Sequence, residues 1–168
     1  TNVSGKVKFD GVILGDFTAI PTDINDAIIF VEAAREVNVD GMTNFSVGAE
    51  RIVKCSHSVE TFSMQHAKMR GSTKRQVVDT YIDTRKVVCR NNDVDMSAFE
   101  VFIEGKLKTE EHLPGVSPVQ VSVDISGNVF KIGLDQCKRV SLFQAPGGTP
   151  SEPSNHGSLF LAEDNVIV

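Results

Sequence analysis

His57, Glu60 and His66 place two imidazoles and a carboxylate in one short segment, the raw material of a metal site or an acid–base pair. On an extended strand nine residues span roughly 30 Å, so these groups converge only if the chain folds back between them. No HxH, HExxH or paired CxxC spacing accompanies them, and scattered polar or core histidines are the expected role. Cys55 and His57, two positions apart, would share a strand face with Cβ atoms roughly 7 Å apart. That is too far for direct activation of the thiol, and Val53 and Val59 on the same face make it a core position. Asn91-Asn92-Asp93-Val94-Asp95 offers oxygen ligands suited to calcium, but it lacks the Gly and terminal Glu of an EF-hand loop, and the same residues favour a simple β-turn. GxxxxGK[ST] and GxGxxG are absent, as is a GxSxG turn. No catalytic residue, metal ligand or cofactor is therefore assigned, and the expectation is a protein that is not an enzyme.

The sharper feature is electrostatic. KMRGSTKR, at 68–75, opens a basic stretch in an acidic chain of net charge -5. From Lys68 to Arg90 the cations Lys68, Arg70, Lys74, Arg75, Arg85, Lys86 and Arg90 face only Asp79 and Asp83, a local balance of +5 that leaves -10 for the remainder. If Val77 to Val88 is one strand, Lys74 and Arg75 stand at its start and Arg85 and Lys86 toward its end. Nucleic-acid binding would add aromatic platforms to a continuous groove, yet Tyr81 is the sole aromatic here and Trp is absent. Unlike patches on one molecule can instead join copies head to tail, a heterologous contact that generates rings or filaments. Lys68, Arg70, Lys74, Arg75, Arg85 and Lys86 are thus the candidate interface or anion-binding residues. The expected partner is another copy of the chain, with nucleic acid second.

The elements that must position these groups read as one domain. At 168 residues with 40% hydrophobic content, residues 1–168 suit a single β-rich domain that needs neither disulfide nor metal for stability. Cys55, Cys89 and Cys137 form an odd set without CxxC spacing, which fits free thiols in a reducing compartment, against the two sequons at Asn2 and Asn44. No run reaches the length of a membrane span and no signal segment leads the chain, so the expectation is a soluble protein without membrane contact, of a kind that can be incorporated into a virion or other assembly. A start at Thr1 fits either removal of an initiator or cleavage from a precursor.

Period-two alternation dominates. Val7 and Phe9 precede Asp10-Gly11, and Val12 and Leu14 follow, the pattern of a hairpin. Val119 to Ile125, Ser126-Gly127-Asn128 and Phe130 to Leu134 give the strongest hairpin pattern, and Leu159 to Val168 suggests a terminal one. Residues 144–157 form a Gly/Pro/Ser-rich loop before it. Thr22 as a cap, with Ile24, Ala27, Ile28 and Val31 at helical spacing, predicts one inserted α-helix over about 23–37; the competing reading is a buried strand through Ala27 to Val31, which is β-branched. No internal repeat is visible. The sum is a mainly β fold, a sandwich or barrel of about 7–9 short antiparallel strands with one inserted helix.

Chain size, β-rich pattern, a lone helix and the lack of catalytic motifs resemble tail-tube and coat subunits of viruses and phages in those generic respects; no diagnostic motif carries the resemblance, and no residue role is transferred by it. The expected function is a structural subunit of a homo-oligomeric assembly, of virion coat, phage tail-tube or fibre type. The alternative is a β-sandwich binding module for carbohydrate, peptide or nucleic acid.

Overall fold

A computed structural model describes residues 5–14, 27–32, 34–44, 51–55, 59–70, 76–80, 84–95, 101–105, 122–131, 141–144 and 159–168. The described chain winds through successive coils. The first carries β1 (Lys6–Asp10), β2 (Ile13–Leu14) and β3 (Ala27–Val31). The second carries β4 (Glu36–Asp40), β5 (Thr43–Asn44) and β6 (Arg51–Cys55), and the third β7 (Thr61–Gln65), β8 (Lys68–Met69) and β9 (Gln76–Thr80). The fourth has β10 (Lys86–Arg90), β11 (Asp93–Asp95) and β12 (Val101–Gly105), and the fifth β13 (Ser122–Ser126), β14 (Val129–Lys131) and β15 (Ser141–Gln144). The last has β16 (Leu159–Leu161) and β17 (Val166–Ile167).

Every strand pairs with its counterpart one coil away, always parallel. The first strands of all coils form a six-stranded sheet A, the second strands a six-stranded sheet B and the third strands a five-stranded sheet C. Three parallel sheets fed in rotation are a parallel β-helix, a solenoid in which each coil buries its inner face against its neighbours.

This corrects the expectation of an antiparallel sandwich or barrel, and the reason lies in the turns. A two-residue type I′ hairpin needs positive φ at both central residues. Here each bend between sheets A and B has one such residue: Gly11 (φ 60°), Gly41 (65°), His66 (53°), Asn91 (56°), Gly127 (66°) and Asp164 (54°). The following residue keeps an ordinary φ and turns inward, with Met42, Ala67, Asn92 and Asn128 all buried. One left-handed residue bends the chain without reversing it, so the strands on either side enter different sheets and must pair with other coils. The hairpins expected around Asp10-Gly11 and Ser126-Gly127, and at Leu159 to Val168, are such bends.

The helix expected over 23–37 is likewise replaced, where described, by β3 and β4. Ile29 and Val31 alternate inward while Phe30 points out, the strand pattern of a β-branched run. Residues 15–26, including Thr22 and Ile24, lie outside the described residues. A repeat that the sequence conceals is also present: equivalent residues recur 25 apart in the middle coils and 36 and 37 apart in the later ones. The Gly/Pro/Ser-rich segment reaches β15 at Gln144, and 145–158 lie outside the described residues.

The core runs along the solenoid axis. Sheet A supplies stacked columns, Val37–Phe62–Val87–Val123 and Val39–Met64–Cys89–Ile125, all buried. Sheet B supplies Met69–Val94–Phe130. In sheet C the register passes over Ile52, Val77 and Phe102, and the consecutive pairs Ile52-Val53, Val77-Val78 and Phe102-Ile103 are buried, so strict alternation fails there. Phe102 meets Phe130 of sheet B edge to face, with ring centroids 5.0 Å apart, tying the two sheets together. Among the described residues no helix is long and apolar enough to cross a membrane.

Candidate assembly interface

The solenoid disperses the basic residues that the sequence groups together. Val77 to Val88 is not one strand: β9 lies in sheet C and β10 in sheet A. Lys68 and Arg70 are exposed on β8 and just after it, at sheet B. Arg85 and Lys86 are exposed where the next coil enters sheet A. Lys74 and Arg75 lie outside the described residues. The structure therefore brings Arg85 and Lys86 together and sets them on a different sheet from Lys68 and Arg70.

The residues singled out for chemistry have structural partners. His66 Nδ1 lies 2.9 Å from Asp40 Oδ1, and Arg35 Nε donates to Glu60 Oε2 at 3.0 Å. His57 lies outside the described residues. Cys55 is buried, and that burial, with the field of Asp79, pushes its thiol up to about 12; Cys89 is pushed higher still, chiefly by burial. Arg51 and Asp79 form a nearly buried ion pair at 2.8 Å in which the Nε–H is not aligned for a hydrogen bond. The segment considered for calcium is one of the bends: Asn92 points inward and Asp93 pairs with Lys131 at 3.2 Å. Among the described residues no three His, Cys, Asp or Glu side chains are grouped to hold a metal ion.

Sequence reasoning missed a polar spine. Asn92, Asn128 and Asn165 occupy the same bend position in successive coils. Asn92 Oδ1 accepts from the Ala67 N–H, and Asn128 Oδ1 from the N–H (3.0 Å) and Nδ2 (2.9 Å) of Asn92. Asn165 Oδ1 accepts from the N–H (3.1 Å) and Nδ2 (3.0 Å) of Asn128. Each amide also donates back to a carbonyl of the coil before: Asn92 to Met64, Asn128 to Cys89 and Asn165 to Ile125. The ladder satisfies main-chain groups that one bend per coil would otherwise bury unpaired. Its signal in the sequence is a repeated doublet, a residue that tolerates positive φ followed by Asn: Asn91-Asn92, Gly127-Asn128 and Asp164-Asn165.

On the outer face of sheet A, Arg90 Nε donates to Asp124 Oδ2 at 2.8 Å and Ser126 Oγ to Oδ1 at 2.6 Å. Burial disfavours the Asp124 carboxylate, but the hydrogen bonds from Arg90 and Ser126 and the charges of Arg90 and Lys86 outweigh it and hold the pKa below the ordinary carboxylate value.

The two ends of the solenoid are different in kind from its sides. The large exposed hydrophobics among the described residues are Ile13, Phe30, Val166, Ile167 and Val168, all in the first or last coil. Ile13 and Val166 are the opposite ends of one outward column that runs Ile13–Thr43–Lys68–Asp93–Val129–Val166. Ile167 continues the inward column Met69–Val94–Phe130 yet is 62% exposed. Among the described residues, β2 and β17 are the edge strands of sheet B and β3 an edge strand of sheet C. No protein-family model matches this chain, and neither a curated protein nor a solved structure is significantly similar to it. The functional reading therefore rests on the chain's own geometry.

Proposed function

We propose that the protein is a structural subunit of a homo-oligomeric assembly, a rigid β-helical segment that joins copies of itself and carries out no catalysis. The supporting observation is that, among the described residues, the large exposed apolar side chains lie in the first and last coils, while most other exposed residues are polar or charged. Large apolar side chains exposed on an otherwise polar surface favour contact with another molecule. Light scattering coupled to size-exclusion chromatography, with electron microscopy of the same fractions, tests the reading: stacked or fibrous species support it, and a monomer at all concentrations and salt levels refutes it.

A second reading, a binding module for an extended polar ligand such as a carbohydrate chain, draws on the outer face of sheet A. There Arg90, Asp124 and Ser126 are mutually held, with Arg85 and Lys86 exposed nearby in sequence at the head of β10. Shifts in the NMR resonances of Lys86 and Arg90 on adding acidic and neutral oligosaccharides would support it, and unchanged spectra would dispose of it.

A further inference from the structure

We propose that the outer face of sheet A binds an acidic oligosaccharide laid along the solenoid axis, with a uronate carboxylate at Arg85 and Lys86 and neutral sugar hydroxyls over the two coils before. This rests on the binding reading of that face given above, and it names the ligand class and its placement.

The placement follows from the register of the middle coils. Asn38 stands beside Ser63, and Thr61, Ser63 and Gln65 stand beside Lys86, Val88 and Arg90. Neighbouring strands are about 4.8 Å apart and alternate residues of one strand roughly 7 Å apart, so these side chains form one continuous surface. Asn38, Thr61, Ser63 and Gln65 are half-buried, and their side chains make no hydrogen bond among the described residues. Amides and hydroxyls both donate and accept, which suits sugar hydroxyls. Val88, half-buried between Lys86 and Arg90, offers an apolar spot for the C–H face of a ring.

Charge decides what kind of sugar fits. The carboxylates at this face are engaged: Glu36 with Lys6 at 2.6 Å, Glu60 with Arg35 at 3.0 Å, Asp10 with Lys8 at 2.8 Å, Asp40 with His66 at 2.9 Å and Asp124 with Arg90. Arg85 and Lys86, both exposed, make no ion pair among the described residues. An adjacent guanidinium and ammonium are complementary to a carboxylate. Both cations belong to the fourth coil and the hydroxyl-binding side chains to the second and third, so the ligand crosses the strands with its acidic unit over the fourth coil. Glu36, Asp40 and Glu60 border the two coils before, and a ligand charged on every unit would set anions beside them. An acidic unit next to neutral ones avoids this. Among the described residues no aromatic side chain points outward from sheet A, so the face lacks the stacking platforms that nucleic-acid bases use.

NMR titration of the full chain with a hyaluronan tetrasaccharide tests the proposal, because uronates and neutral N-acetyl sugars alternate in that probe. The resonances of Asn38, Ser63 and Lys86 should shift together, and binding should weaken severalfold between about 20 mM and about 500 mM NaCl as the charges are screened. Arg85→Ala/Lys86→Ala should weaken binding about tenfold, and neutral chitotetraose should bind wild type about tenfold more weakly than hyaluronan. Asn38→Ala/Ser63→Ala should weaken binding about threefold or more while leaving its salt dependence unchanged. Circular dichroism of each variant confirms that the fold is retained. Equal affinity for chitotetraose and hyaluronan, or binding indifferent to Arg85→Ala/Lys86→Ala, overturns the acidic ligand and leaves the binding reading of the face intact. Tighter binding of an oligothymidylate than of either saccharide overturns the proposal in favour of nucleic acid. Unchanged sheet A resonances with all three probes at millimolar concentration overturn both the ligand and the binding reading.

Discussion

Asn128→Ala tests whether the bend ladder holds the coils together. Asn128 is fully buried and makes side-chain bonds in both directions. Truncation removes both acceptor bonds from Asn92 and both donor bonds to Cys89 O and Asn165 Oδ1. The losses are unequal. Asn92 Nδ2 keeps Met64 O at 3.2 Å, and Asn165 Oδ1 keeps the main-chain N–H at position 128. The Asn92 N–H loses its side-chain acceptor in a buried setting. An orphaned buried donor costs about 1–3 kcal/mol and each further net bond about 0.5–1, so the expected loss is about 3 kcal/mol. Asn165→Ala removes a comparable set, but Asn165 is half-buried and water can replace its bonds, so about 1 kcal/mol is expected. Solenoids can unfold coil by coil. Urea melts followed by circular dichroism should therefore be paired with hydrogen exchange at the Asn92 amide, whose protection should collapse in Asn128→Ala. Equal destabilisation by the two variants, or intact protection of the Asn92 amide, would refute the reasoning.

Further outcomes follow from the bends, the thiols and the carboxylate. Gly127→Ala should lower the melting temperature more than Gly11→Ala: both positions have φ near 60°, but a Cβ at 127 would meet Asn91 Oδ1 at 2.6 Å while one at 11 meets nothing within 4 Å. Cys55 and Cys89 should resist a thiol reagent at pH 8 in the native state and react on denaturation. Because their folded pKa values are raised, their contribution to stability is complete below the unfolded thiol pKa of about 8.5 and is lost as pH rises from there through about 12 for Cys55. Melting temperatures of wild type and Cys55→Ala across that range should converge. Asp124, with its lowered pKa, acts in the opposite sense, giving stability above the ordinary carboxylate value that is lost as pH falls through the folded pKa. Arg90→Ala should raise the Asp124 pKa in a carboxyl NMR titration; no change would remove Arg90 as its cause.

What was legible in the sequence was local. Alternation set Phe62 and Met64 on one strand face, and both are buried in the structure, whereas Val37, within the expected helix, stands in β4. Asp10-Gly11 and Ser126-Gly127 announced changes of direction, and Gly11 and Gly127 do adopt positive φ. The expected helix failed because Ala27 to Val31 fits two periods at once, and pairing with β6 decides between them. The charge of the basic segment was counted along the chain, and the structure sets Lys68 and Lys86 on different sheets.

The sequence by itself determined that the chain is built of short β-strands joined by bends at residues that tolerate positive φ, since backbone sterics and period-two burial are properties of a few neighbouring residues. It could not determine which strand pairs with which. A bend with one left-handed residue and a hairpin with two look alike in Asp-Gly or Gly-Asn, and partners 25 to 37 residues away leave no mark within the length of a strand. Only the tertiary structure resolved that choice, because the inward Asn92, Asn128 and Asn165 find their hydrogen-bond partners solely when the coils stack in parallel. The same stacking placed Ile13 and Val166 at opposite ends of one column, a relation between residues from the two ends of the chain that exists only once every intervening coil is in register.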